Sequence, residues 1–220
     1  MNNVKLVSCT QGAGELKDKG PQDVISYVAR VSNPHNQENF RTAAGLLKYC
    51  IKHEHWSIFE TVSMTMEINT NRGIAAQVLR HRSFTFQEFS QRYADTNLLG
   101  ADIPVPELRR QDTKNRQNST NDLAPGMVKD YQHKIEKYFK EGMHLYNNLL
   151  DNGVAKECAR FVLPLATPTR IYMTGSCRNW VHYINLRSAH GTQEEHRLIA
   201  EGCREVFKEL LPDVSTALEW

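Results

Sequence analysis

Over residues 62–69 apolar and polar side chains alternate without a break, Val62, Met64, Met66 and Ile68 against Ser63, Thr65, Glu67 and Asn69. Successive side chains of a strand point to opposite faces, so this period of two describes a strand with one face buried. Around it the period is helical. Residues 21–31 carry apolar side chains at 24, 25, 28 and 31, and Phe40, Ala43, Ala44, Leu47 and Ile51 repeat that spacing up to His53. Ile74, Ala75, Val78 and Leu79 place one apolar face on a helix expected over 71–82. A long amphipathic helix follows, marked by Val128, Tyr131, Ile135, Tyr138, Phe139, Tyr146 and Leu150. A shorter helix is expected over 155–162, closed by Pro164, and two more over 178–186 and 194–211. Residues 4–10 and 169–174 read as further strands. The expected fold is therefore α+β, a small, mainly antiparallel sheet surrounded by helices in a single domain over 1–220.

The 220 residues are 40% hydrophobic and 24% charged, an ordinary globular balance with enough chain for one sizeable core. A formal net charge of +2 argues against a general nucleic-acid coat, so any anion must be held by locally placed arginines. Five cysteines, scattered without CxxC spacing, fit free thiols in a reducing compartment. No apolar run is long enough to span a bilayer and the N-terminus lacks a signal-peptide core, so the expected location is the cytoplasm. Residues 109–122 are wholly polar, which predicts a mobile surface loop, a candidate lid.

The segment RHRSFTFQEFSQRY, residues 80–93, is the strongest candidate for chemistry. On a helix, Arg80, His81 and Arg82 would fan out about 100° apart and so contact different parts of a large ligand, or ligands on both sides of a subunit boundary. The bland alternative is a solvated helix end with cations near its C-terminal dipole. Residues 85–93 read as extended, which would set Glu88, Ser90 and Arg92 on one face at about 6.5 to 7 Å intervals. Phe84, Phe86 and Phe89 would anchor that segment to the core. Arginine offers phosphate oxygens a planar fork that lysine cannot match. Ser90 has no neighbouring histidine to activate it, so it reads as a hydrogen-bond donor, not a nucleophile.

Three other features imitate known sites. Gly12-Ala13-Gly14 follows a strand, but Lys17 stands where a dinucleotide fingerprint needs its third glycine. His53 and His55 lack a defined third ligand, so no metal is expected. Cys177 beside Arg178 could be a low-pKa thiol nucleophile or simply a small buried residue.

Taken together, Arg80-His81-Arg82, Glu88, Ser90 and Arg92 resemble the RHRxxSxxExSxR signature of the flavin-dependent thymidylate synthases, with Thr85 in place of the usual serine. Three more blocks follow that family's order. His55-Trp56-Ser57-Ile58-Phe59-Glu60 resembles its H-x-S-x-x-E stretch, with Thr61 where a second histidine is common. Ala159-Arg160-Phe161-Val162-Leu163-Pro164 is similar to A-R-x-x-L-P. The segment from Gly175 through Arg178 and His182 to Arg187 resembles G-N-x-R-x-x-x-H-F-x-x-x-R, with Ser176 for asparagine and Tyr183 for phenylalanine.

The resemblance implies an enzyme that makes dTMP from dUMP, taking a carbon from 5,10-methylenetetrahydrofolate and reducing equivalents from NADPH through FAD. It implies that His55, Ser57, Arg80, His81, Arg82, Glu88, Ser176, Arg178 and His182 hold the flavin. Gln77, Arg80, Glu88, Ser90, Gln91, Arg92, Arg160 and Arg187 would hold dUMP, at sites shared between subunits of a homotetramer. Arg187 is the expected catalytic group, since a permanent guanidinium charge stabilises a deprotonated or enolate-like uracil. The alternatives are thymidylate formation through a cysteine nucleophile, and a non-catalytic nucleotide or nucleic-acid binder using Arg80, Arg82, Arg109, Arg110 and Arg116.

Overall fold

The computed structural model describes residues 4–220. Its centre is a four-stranded sheet with order β1-β2-β6-β3, formed by β1 (Val4–Cys9), β2 (Ser63–Asn71), β3 (Thr85–Glu88) and β6 (Pro168–Ser176). Every pairing is antiparallel, and Met66 of β2 lies opposite Leu6 of β1 and Met173 of β6. The alternation read over 62–69 is realised here, with Val62, Met64, Met66 and Ile68 all buried. On the polar face Glu67 is nevertheless buried, held 3.2 Å from Lys5 Nζ and 3.4 Å from Arg170 Nε on the flanking strands.

Helices α1 (Pro21–Ala29), α2 (Ala43–Lys52), α3 (Arg72–Val78), α6 (Cys177–Arg187), α7 (Glu194–Leu210) and α8 (Pro212–Ala217) close over the sheet. Their apolar faces share one core with it, including Ile25, Leu47, Val78, Trp180, Ile184, Phe207 and Val214. α4 (Pro125–Asp151) is about 40 Å long at 1.5 Å per residue. It builds a second, smaller cluster from Phe139, Met143 and Tyr146 with Ile103 and with Ala159 of α5 (Lys156–Ala159). Among the described residues no helix is long and apolar enough to cross a membrane.

Three expectations need correction. The helix expected over 71–82 stops at Val78, so Arg80, His81 and Arg82 lie on a turn and not on a helix face. The chain must reverse there to drive Phe84 into the core, 4.9 Å from the Trp180 ring, and to lay β3 on β6. The extended segment expected over 85–93 ends at Glu88, because the Ser90 carbonyl accepts from the N–H groups of Tyr93 and Ala94 and closes a turn. Glu88, Ser90 and Arg92 therefore do not share one strand face. Residues 109–122, expected to be a mobile surface loop and candidate lid, include a small hairpin from β4 (Arg110–Gln111) and β5 (Ser119–Thr120). The Asp112 carboxylate closes its turn by accepting from the Lys114 and Asn115 N–H groups and the Asn118 amide. Arg109 anchors its base to Glu195 at 2.6 Å.

Candidate functional site

The C-terminal end of α3, the end of α6 and the start of α7 converge on one point. Asn71 caps α3 by accepting from Ile74 N–H at 2.9 Å, which phases the helix so that Ile74, Ala75 and Val78 are buried while Gln77 faces α7. Ser176 caps α6 in the same way through Asn179 N–H, and that helix carries Tyr183 inward and Arg187 to its last turn.

Within this convergence Arg187 Nε donates to His81 Nε2 at 2.9 Å. A guanidinium has only donors, so His81 must accept there and be neutral, its proton on Nδ1. Burial, then Arg187, then His182 push the His81 pKa down to about 4. Behind it Tyr183 Oη meets His196 Nε2 at 3.1 Å, and His196 Nδ1 meets Gln77 Oε1 at 3.2 Å. His196 is fully buried, and burial, Arg187 and His81 likewise lower its pKa to about 4. Here a fixed positive charge sits among groups that stay neutral at physiological pH.

A second set of residues faces outward. Ser57, Arg80, Arg82, Arg178 and His182 are all exposed, and Arg80 and Arg82 form no ion pair among the described residues. Arg178 pairs with Glu60, at the end of the short 3-10 turn Trp56–Glu60 that also carries Ser57. Asn179 Nδ2 ties this face to the Ser83 carbonyl at 2.7 Å, bringing the turn after Arg82 against the start of α6. His55, just before that turn, is also exposed and packs with Tyr49, ring centroids 5.9 Å apart.

The remaining expected residues divide between two places. Glu88 Oε1 accepts from Arg72 Nη1 at 2.5 Å and from Thr169 Oγ1 at 2.9 Å, so one of its two carboxylate oxygens is held at the base of α3. Arg92 Nε donates to Glu157 at 2.8 Å, beside Arg160, whose guanidinium stacks on Phe161 at 5.5 Å. The backbone turn at Ser90 joins these two places. Gln91 turns inward, its side chain buried, with no protein partner for Nε2 among the described residues. Sequence reasoning missed Arg72, Thr169, Gln193 and His196. Of these only His196 carried a signal, a histidine on the apolar stripe of α7.

Cys177 does not provide a nucleophile. It is fully buried, burial pushes its thiol well above the ordinary range, and the neighbouring Arg178 turns outward to Glu60. The basic group invoked for nucleic acid is partly neutralised too, since Arg109 pairs with Glu107 and Glu195 and Arg110 with Asp122.

Residues 15–213 match the family described as thymidylate synthase complementing protein. A protein named "Probable flavin-dependent thymidylate synthase" from Paramecium bursaria Chlorella virus 1 is 52% identical over 219 residues, 99% of each chain. The flavin-dependent thymidylate synthase of Synechocystis sp. is 49% identical over 200 residues, 91% of this chain and 90% of that one. Among solved structures, a UMP/dUMP methylase, PolB from Streptomyces cacaoi bound with 5-Br dUMP, superposes with TM-score 0.82 at 25% identity, covering 98% of this chain and 93% of that one. A matched sequence, a matched fold and four motif blocks in register agree: the chain belongs to the flavin-dependent thymidylate synthase family.

Proposed function

We propose that this protein catalyses the reductive methylation of dUMP to dTMP, with FAD as bound cofactor, 5,10-methylenetetrahydrofolate as carbon donor and NADPH as reductant. The observation that carries the reading is the pairing of Arg187 with a histidine that stays neutral. The reaction builds negative charge on a pyrimidine, and a preorganised permanent cation stabilises that charge without reorganising. His81 holds the guanidinium in place through one nitrogen and adds no competing positive charge.

The exposed residues suit a flavin. Ser57, Arg80, Arg82, Arg178 and His182 offer cationic and hydroxyl donors for a diphosphate and a ring edge. When bound, the flavin carries the reducing equivalents to the substrate. These residues lie on an open face, and an apolar ring system left half in water would gain little from binding there. A second subunit covering that face supplies the missing wall, which supports a homotetramer with shared sites. Arg92 and Arg160, adjacent and partly exposed, suit the dUMP phosphate, and Gln77 and the Ser90 turn suit its nucleoside. The Gln91 side chain points away from that surface, so its contribution to dUMP is through its backbone N–H.

The test is direct. Purified protein should be yellow and form dTMP from dUMP when given methylenetetrahydrofolate and NADPH, and excess duplex DNA should not displace dUMP. A colourless protein whose dTMP formation is abolished by thiol alkylation would overturn the flavin reading. Steeply salt-dependent oligonucleotide binding without turnover would favour the nucleic-acid alternative.

A further inference from the structure

The hydrogen bonds behind Gln77 form a chain whose direction is set at one end by a carboxylate. Glu195 only accepts, and it is held by Arg109 Nη2 at 2.6 Å. Gln193 must therefore present its Nε2 to Glu195, at 2.9 Å, which leaves its Oε1 for Gln77. Gln77 must answer with Nε2, at 2.6 Å, and so turns its Oε1 toward α7. That oxygen needs a donor, so His196 carries its proton on Nδ1, 3.2 Å away. The remaining His196 nitrogen is then an acceptor, and the Tyr183 hydroxyl donates to it at 3.1 Å. Each amide orientation and the ring tautomer follow from the link before, so no orientation here is arbitrary.

We propose that His196 and Tyr183 are positioning residues that hold the Gln77 amide, from its buried side, in the orientation that the Glu195–Gln193 arm selects, so that it meets the nucleotide with a fixed N–H and a fixed lone pair. The proposal rests on the reading that Gln77 contacts dUMP. Neither His196 nor Tyr183 reaches solvent, and both are fully buried. Their hydrogen bonds run toward the surface through Gln77, while the Tyr183 ring packs edge-on against His81 with centroids 4.9 Å apart. A glutamine amide presents donor and acceptor side by side, and a pyrimidine edge does the same in complement. With the amide free to rotate, half of its approaches would set donor against donor. The relay removes that half before the nucleotide arrives, which is preorganisation of binding and not of the chemical step.

The experiment compares Gln77→Ala, the double variant Tyr183→Phe/His196→Phe, and the triple combination with the unaltered holoenzyme. Replacing both members of a buried hydrogen bond by apolar groups is close to neutral for folding. The double variant should raise the dUMP KM about five- to tenfold, as loss of a neutral hydrogen bond does, with kcat and flavin content within about twofold. That increase should vanish in the Gln77→Ala background, because the relay has nothing left to orient. A dUMP KM that is unmoved by the double variant but raised by Gln77→Ala would overturn the proposal. So would an increase that persists undiminished when Gln77 is absent, which would make His196 a general packing residue. If Gln77→Ala itself leaves the dUMP KM unchanged, the nucleotide role of Gln77 falls and this proposal with it. Should the double variant not fold, Tyr183→Phe alone removes only the hydroxyl that donates to His196 Nε2, and is read by the same criteria in both Gln77 backgrounds.

Discussion

The inner half of the site and its outer face are built on opposite principles. Arg187, His81, Tyr183, His196 and Gln77 hold one another through hydrogen bonds of 2.9 to 3.2 Å among buried or half-buried atoms. Arg80, Arg82 and Arg178 stand at the surface, and two of the three have no carboxylate partner among the described residues. The inner group needs no ligand to be ordered. In the outer group only Arg178 has an ion-pair partner, Glu60, among the described residues. On the proposed reading, the groups nearest the substrate are held by the chain itself, while those that receive the cofactor are left free.

The largest effect should come from breaking the inner group at its charge. Arg187→Lys should lose about 100-fold or more in dTMP formation, on the scale of removing a preorganised electrostatic donor, while flavin content stays unchanged. Near-normal turnover would remove Arg187 from its assigned role. Next, Arg80→Ala and Arg82→Ala should each weaken flavin binding about tenfold, as loss of a charge-assisted hydrogen bond does, measured by fluorescence titration. Their melting temperatures should stay within about a degree or two, because exposed unpaired side chains contribute little to stability. A large loss of thermal stability in either would show that the outer face is structural after all.

Acid should separate the two halves more gently. An unfolded histidine takes its proton near pH 6.5, whereas native His81 and His196 resist it until about pH 4. Between those values the unfolded state binds more protons, so stability falls as pH falls from about 6.5 toward 4. Melting temperature followed over that window should drop in the unaltered protein and drop less in Tyr183→Phe/His196→Phe, which has lost one of the two groups. The smallest effect belongs to a pair far from both halves. Lys140→Ala removes an exposed α4 ion pair with Glu136 and should leave the urea unfolding midpoint unchanged.

The local elements were legible wherever the physics was local. The alternation over residues 62–69 became the central strand β2, and the spacing of Phe139, Tyr146 and Leu150 became α4, because period alone decides which face an element can bury. The motif blocks were legible for a different reason: ligand chemistry restricts side-chain identity position by position. The end of α3 was not legible. Leu79 and Arg80 continue a helical pattern, and only the need to seat Phe84 against Trp180 stops it. The hairpin at 110–120 was hidden likewise, since its order comes from Arg109 reaching Glu195 across 86 positions of chain.

For this protein the sequence by itself determined most of the element types and the family, since these depend on residue identity and short-range period. Only the tertiary structure decided that Arg80 to Arg82 lie on a turn, that His81 accepts from Arg187, and that His196 meets Gln77. Those are facts about which distant side chains touch. His196 lies 119 positions from Gln77, and no local pattern records a hydrogen bond of that reach.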